Sequence, residues 1–179
     1  IWMPASAKII EKQRAFFATG ATLPGRFRRE QLLRLQEALK TYEEKLLEAL
    51  RQDLGKSSFE GYETELGILY EEIHFSLKRL KKWMKPERVR TPLLHFPSHS
   101  KIYSEPLGVV LIMSPWNYPL QLTIAPLIGA IAAGNCAVVK PSRYSPATSA
   151  VMEQMLREFF DEDYISVFQG GSQMNTELL

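Results

Sequence analysis

Apolar residues recur at three- and four-residue steps through the first part of this chain and as continuous runs through the last part, with the change near Pro86. From about Pro4 to Met84 the spacing predicts helices. Pro4 suits a first helical turn, and "SAKIIEKQRAFFA" keeps the helical step until Gly20 ends it. "FRREQLLRLQEALKTYEEKLLEALRQDLG" is the clearest pattern: Leu32, Leu33, Leu35, Leu39, Leu46, Leu47 and Leu50 mark an apolar face, and Gly55 stands where a C-terminal cap belongs. A third helix, "FEGYETELGILYEEIHFSLKRLKKWM", can be capped by Ser57 or Ser58 and ends in Lys and Arg, as the helix dipole favours.

Beyond Pro86 the period changes. "ERVRTPLLHFPSHS", with two prolines and two histidines, reads as an extended arm, and "KIYSEP" as a strand on an exposed sheet. "LGVVLIMSP" is a continuous apolar run, expected of a strand covered on both faces. A helix to Ala133, a turn at Gly134-Asn135 and a strand "CAVVK" follow. Then come a helix from about Pro146 to Phe160, a strand "YISVFQ", a Gly-Gly turn and a helix start at "SQMNTELL". The fold class is α/β: this alternation predicts a parallel sheet with helices on both faces. Ligands of such sheets bind beyond the carboxyl ends of the strands. That rule selects Ser114 to Tyr118, Lys140 to Arg143, and Gln169 to Gly171.

Composition narrows the partners. With 179 residues, 45% hydrophobic and 23% charged, the chain is long enough for one domain with a sizeable core. A net charge of +2 gives no pull toward nucleic acid or a membrane surface. The "RFRR" and "KRLKKWMK" clusters alternate with apolar residues near Glu and read as solvated helix faces. No run of 18 apolar residues exists, so no membrane span is expected. The N-terminus lacks a basic-then-apolar signal pattern, and a single cysteine fits a reducing compartment, so a cytoplasmic location is the expectation. His74, His95 and His99 have no metal-ligand spacing and are expected at the surface; no metal site is expected.

Candidate chemistry sits at the strand exits. In "SPWNYP" two prolines stiffen the backbone around Asn117, whose amide can donate to a developing oxyanion. Equally, Asn117 could cap the next helix while Trp116 packs in the core. Lys140 could reach a ribose hydroxyl or a phosphate, or be a solvated loop lysine. Cys136, at the opening of a buried strand and at the wrong end of the sheet for a site, reads as a small buried hydrophobe. The glycines of "GAIAAGN" lie within and after a helix, so the dinucleotide-binding fingerprint is not met.

The stretch "EPLGVVLIMSPWNYPLQLTIAPLIGAIAAGNCAVVKPSRYSPATS" resembles the aldehyde dehydrogenase superfamily, in particular its class 3 branch. So do "QRAFFATGATLPGRFRREQLLRL", "LLEALRQDLGKSSFEGYETELG" and "VFQGGSQMNTELL", which together cover nearly the whole chain. The resemblance implies oxidation of a small-molecule aldehyde to a carboxylic acid. A cysteine forms a thiohemiacetal and then a thioester, and NAD or NADP takes the hydride. It implies the oxyanion amide for Asn117, the ribose contact for Lys140, and a cofactor-facing backbone at Ser114, Pro115 and Trp116. Ser142 and Arg143 join Lys140 in this cofactor-binding set, and Gly170 and Gly171 match the turn near the adenine. It also divides the chain into an N-terminal helical segment (1–86), an arm belonging to an oligomerisation sheet (87–106), and the first half of a Rossmann-like doubly wound domain (107–179), in a protein that forms homodimers.

Two departures from the family pattern stand out. Arg143 occupies a place where the family has Glu, which predicts acceptance of NADP at least as readily as NAD, unless the side chain points to solvent. The general-base Glu and nucleophilic Cys have no counterpart, and Cys136 does not match the nucleophile. The expectation is therefore a fragment, inactive by itself, whose last strand leaves an unpaired apolar edge. The alternative is an inactive truncated nucleotide-binding or subunit-pairing module.

Overall fold

A computed structural model of the chain describes residues 5–179. Pro4 lies outside the described residues, and the first helix, α1, runs over Ala5–Ala18. The leucine-rich pattern becomes α2 (Gly25–Leu54). It ends at Gly55, whose φ of 70° is open to glycine without a Cβ penalty and whose N–H closes the last turn on the Arg51 carbonyl at 2.9 Å. The third helical stretch is one continuous rod with a local widening. α3 (Ser58–Gly61) is capped by Ser57, whose hydroxyl accepts from the Glu60 N–H at 3.1 Å. A π-helical turn, Tyr62–Leu66, leads into α4 (Gly67–Trp83). The extra residue in that turn brings both Glu65 and Leu66 to the buried side, in line with Leu69 and Ile73.

Along α2 the stripe Leu32, Leu35, Leu39, Leu46 and Leu50 is buried, whereas Leu33 is exposed and Leu47 half-buried. The predicted face was too wide, because neighbouring positions in a helix point about 100° apart. Arg28 departs from the solvated face expected of "RFRR". It is buried, and its guanidinium donates to the Thr22 and Ala132 carbonyls, each at 3.2 Å.

The arm after Pro86 is a small antiparallel ribbon, β1 (Glu87–Val89) paired with β2 (Ser100–Ile102). Its tip exposes Leu93, Leu94 and Phe96. β3 (Val109–Met113), α5 (Gln121–Ala133), β4 (Cys136–Lys140), α6 (Pro146–Phe159), β5 (Ile165–Val167) and α7 (Ser172–Leu178) follow in the predicted order. The three strands form a parallel sheet in the order β3-β4-β5. Alternation along the strands separates its faces. Cys136 and Ser166 point toward α1, where the Cys136 thiol meets the Gln13 carbonyl and the Gln13 amide donates to Ser166 Oγ. Ala137, Val139, Ile165 and Val167 join Leu127, Ile131, Met152 and Leu156 on the other face. α2 and α4 then pack over α5 and α6, so the first helices and the sheet share one apolar core.

The strand expected to be covered on both faces is only half covered. β4 is buried throughout, but Val109, Val110 and Leu111 of β3 are half-buried and Met113 is exposed. β3 and β5 each pair with β4 alone, so pairing does not set β3 apart; its residues are left partly uncovered by the elements packed beside them. The partly exposed apolar side chains of the sheet therefore fall on β3. The last strand, β5, does leave an unpaired edge, since it pairs with β4 alone, but every one of its residues is buried.

Candidate functional site

All three predicted strand exits lie at the carboxyl end of the sheet. A cavity of about 280 Å³ opens there, lined by Met113, Ser114, Lys140, Ser142, Arg143, Tyr144, Gly170, Gly171, Ser172 and Asn175. Six residues selected from the sequence thus share one space: Ser114, Lys140, Ser142, Arg143, Gly170 and Gly171. Pro115, Trp116 and Asn117 continue from Ser114 along the adjoining loop, exposed to solvent, and are not among the cavity's lining residues.

Lys140 ends the central strand and is 5% exposed, so it is not a solvated loop lysine. Its ammonium donates to the Pro141 carbonyl at 3.0 Å and the Gly170 carbonyl at 3.2 Å. Burial pushes its pKa below the usual lysine value, and the nearby positive charge of Arg143 pushes the same way. Arg143 lies across the second turn. Its guanidinium donates to the Tyr144 hydroxyl at 2.7 Å and sits 4.7 Å from that ring's centre. A Cβ on Gly171 would come within 2.8 Å of Arg143 Nη1. Gly170 has φ +147°, and a Cβ there would also meet Met174 Cβ at 2.7 Å. Two cations drawn together beside a glycine turn repel each other until an anion joins them. The Ser142 hydroxyl accepts from the Tyr144 N–H at 3.2 Å, and its carbonyl accepts from Ser149 Oγ at 2.8 Å, so Ser142 shapes the turn from within.

The loop between β3 and α5 is held at both ends. Ser114 Oγ and Thr123 Oγ1 lie 2.6 Å apart, and the Thr123 hydroxyl donates to the Pro119 carbonyl at 2.5 Å. At the far end, Glu65 Oε2 accepts from the Leu120 N–H at 2.8 Å and the Gln121 N–H at 3.0 Å. These are orphan donors of the first turn of α5, satisfied by a residue from another element. Asn117 therefore does not cap α5, and Trp116, 53% exposed, is not in the core. Both features of the structural alternative for this loop are absent.

Cys136 is fully buried, and burial pushes its thiol up to about 12, with Asp163 adding to the shift. A thiol held protonated inside the core is no nucleophile at neutral pH. His74, His95 and His99 are exposed, as expected.

The sequence reading passed over Lys56, Thr123 and Tyr144, and it assigned no bond to Glu65. A carboxylate aligned with Leu69 and Ile73 on an apolar helix face was the available signal for Glu65, since such a group must find a partner. Nothing local marks the other three.

The fold and cavity define an α/β protein with a cation-lined cavity at the carboxyl ends of a parallel sheet and no glycine fingerprint. The chain belongs to the aldehyde dehydrogenase family, whose model matches residues 5–179. It is 48% identical over 166 residues to 4,4'-diaponeurosporen-aldehyde dehydrogenase of Staphylococcus aureus, a match that covers 93% of this chain and 36% of that protein. Aldehyde dehydrogenase family 3 member B1 of Bos taurus is 42% identical, with 99% of this chain and 38% of that protein covered. A solved structure described as the substrate-bound state of Staphylococcus aureus AldH superposes with a TM-score of 0.96 at 46% identity, over 98% of this chain and 38% of that one. The chain thus spans well under half the length of the relatives it matches. Among the described residues, no helix is long and apolar enough to cross a membrane.

Proposed function

We propose that this chain forms the cofactor-binding and oxyanion-stabilising part of an NAD(P)-dependent aldehyde dehydrogenase. The observation that carries the reading is the convergence of Lys140, Arg143 and the Gly170–Gly171 turn on one cavity, beside a braced loop whose Asn117 amide is not used as a cap. The cavity residues suit a phosphate-bearing dinucleotide. Lys140 has a third ammonium proton to offer beyond its two carbonyl bonds, Arg143 supplies a second cation, and side chains on the two glycines would crowd the turn. When bound, such a cofactor takes the hydride from the aldehyde carbon. Asn117 donates from its amide to the aldehyde oxygen as negative charge builds there, and the braced loop limits the reorganisation required. Cys136 cannot act as the nucleophile, so the family's thiolate and general base are supplied by residues other than these. Arg143 in place of an acidic residue favours NADP. The β1–β2 arm, with its exposed Leu93, Leu94 and Phe96, serves as the homodimer contact, and the single buried thiol suits a cytoplasmic location.

The deciding experiment is Asn117→Ala in the whole protein that carries this chain. The substitution should lower kcat for aldehyde oxidation by about 10²–10³-fold, with the cofactor KM held within about twofold. An unchanged kcat would overturn the oxyanion role.

A further inference from the structure

Lys56 and Glu65 form the most enclosed ion pair among the described residues, with side chains 9% and 0% exposed and Nζ 2.5 Å from Oε1. Neither lines the cavity at the strand ends. Burying two charges forfeits their hydration, and a well-packed apolar pair often stabilises as much, so stability is a weak account of why a pair sits here.

Its geometry suggests a different task. Glu65 uses Oε1 for Lys56 and Oε2 for the Leu120 and Gln121 amides, so the carboxylate carries three charge-assisted bonds. The carboxylate also lies at the positive end of α5. Lys56 Nζ in turn stands 4.1 Å from the centre of the Tyr118 ring. The pair's contacts thus lie just downstream of Asn117: Tyr118 follows it directly, and Leu120 and Gln121 follow Pro119. The Ser114–Thr123–Pro119 bridge closes the loop from the other side. Asn is among the residue types that best cap a helix from its own chain. With Glu65 satisfying the first amides from outside, that task no longer falls to Asn117. The π-helical turn Tyr62–Leu66 turns Glu65 inward to do so.

We infer that the Lys56–Glu65 pair is a positioning device for Asn117: it takes over the capping of α5 and sets the loop so that the Asn117 amide faces the substrate oxygen. The inference rests on the oxyanion role proposed above. Glu65 acts through Asn117 and touches neither substrate nor cofactor.

A double-mutant cycle in the whole protein tests it, using Glu65→Gln, Asn117→Ala and the two combined. With Asn117 present, Glu65→Gln should reduce kcat by about tenfold or more, the scale of a small misplacement at a reacting centre, and leave the cofactor KM within about twofold. With Asn117→Ala already in place, the same change should cost less than about twofold in kcat, because the group it positions is gone. A merely structural residue would lower Tm and reduce kcat by the same factor in both backgrounds, and that result would overturn the inference. So would a wild-type kcat for Glu65→Gln. A wild-type kcat for Asn117→Ala alone sinks the oxyanion reading instead, so the two failures are distinct. If Glu65→Gln does not fold, Glu65→Asp keeps the charge but withdraws the carboxylate by one methylene, and the same background dependence is expected.

Discussion

Removing the guanidinium of Arg143 should weaken the protein's use of NADP selectively. The cation sits at the cavity beside Gly171, tied to the Tyr144 hydroxyl at 2.7 Å, and adds its repulsion to the burial that lowers the pKa of Lys140. A hydrogen bond from a charged group to a phosphate contributes about 1.5–3 kcal/mol. Arg143 is exposed, so solvent screening places the value at the lower end, and part of its Tyr144 bond, worth about 0.5–1.5 kcal/mol, is given up. The net is about 1–1.5 kcal/mol, or roughly five- to tenfold in kcat/KM. Arg143→Ala should therefore lower kcat/KM for NADP by about that factor and leave NAD within about twofold. Arg143→Glu, which replaces attraction by repulsion, should widen the NADP loss to about a hundredfold. The assay is steady-state oxidation of one aldehyde by the whole protein with each cofactor, at low and at physiological salt. The NADP advantage should shrink as salt rises. A strong NAD preference in the wild type, or an equal fall with both cofactors in Arg143→Ala, would refute the argument.

Other predictions concern Cys136 and pH. Cys136→Ala in the whole protein should leave aldehyde oxidation intact while costing about 1–2 kcal/mol of stability in urea unfolding, because it removes a buried group without touching the cavity. Loss of turnover in a folded variant would reinstate this thiol as a catalytic group. Residues 1–179 by themselves should show no aldehyde oxidation, and turnover at the whole protein's rate would disprove that. Alkaline stability should fall above about pH 9. The thiol of Cys136 is held up to about 12 by burial, and the Tyr42 hydroxyl to about 12, chiefly by its hydrogen bond to Glu158. Burial raises Tyr164 as well. Each folded pKa lies above the unfolded one, so the stabilisation is complete below the unfolded pKa and is lost as pH rises toward the folded one. For Cys136 alone the slope approaches about 1.4 kcal/mol per pH unit between about pH 9 and 12. Urea midpoints at pH 8 and pH 10.5 should separate clearly, and coincident midpoints would contradict the assignment.

The order of helices and strands, the Gly55 cap and the three strand exits were legible in the chain, because period, cap chemistry and connection order are local or nearly so. The same reasoning placed Ser114, Lys140, Ser142, Arg143, Gly170 and Gly171 at one end of a sheet, since a parallel sheet gathers its strand exits at its carboxyl end. It misjudged β3, because a continuous apolar run does not show how fully neighbouring elements will cover a strand: β5 is also an edge strand, yet it is buried throughout. Arg28 likewise sits in a basic cluster by sequence, but its burial depends on where α5 ends in space. Whether Asn117 was a cap or a free amide was undecidable from the loop alone. The answer lies in Glu65, 52 positions earlier, and in a π-helical turn that aims it at the start of α5. Local sequence determined which residues could do chemistry; the tertiary structure decided which were left free to do it, because a polar group's availability depends on the partners that packing brings to it.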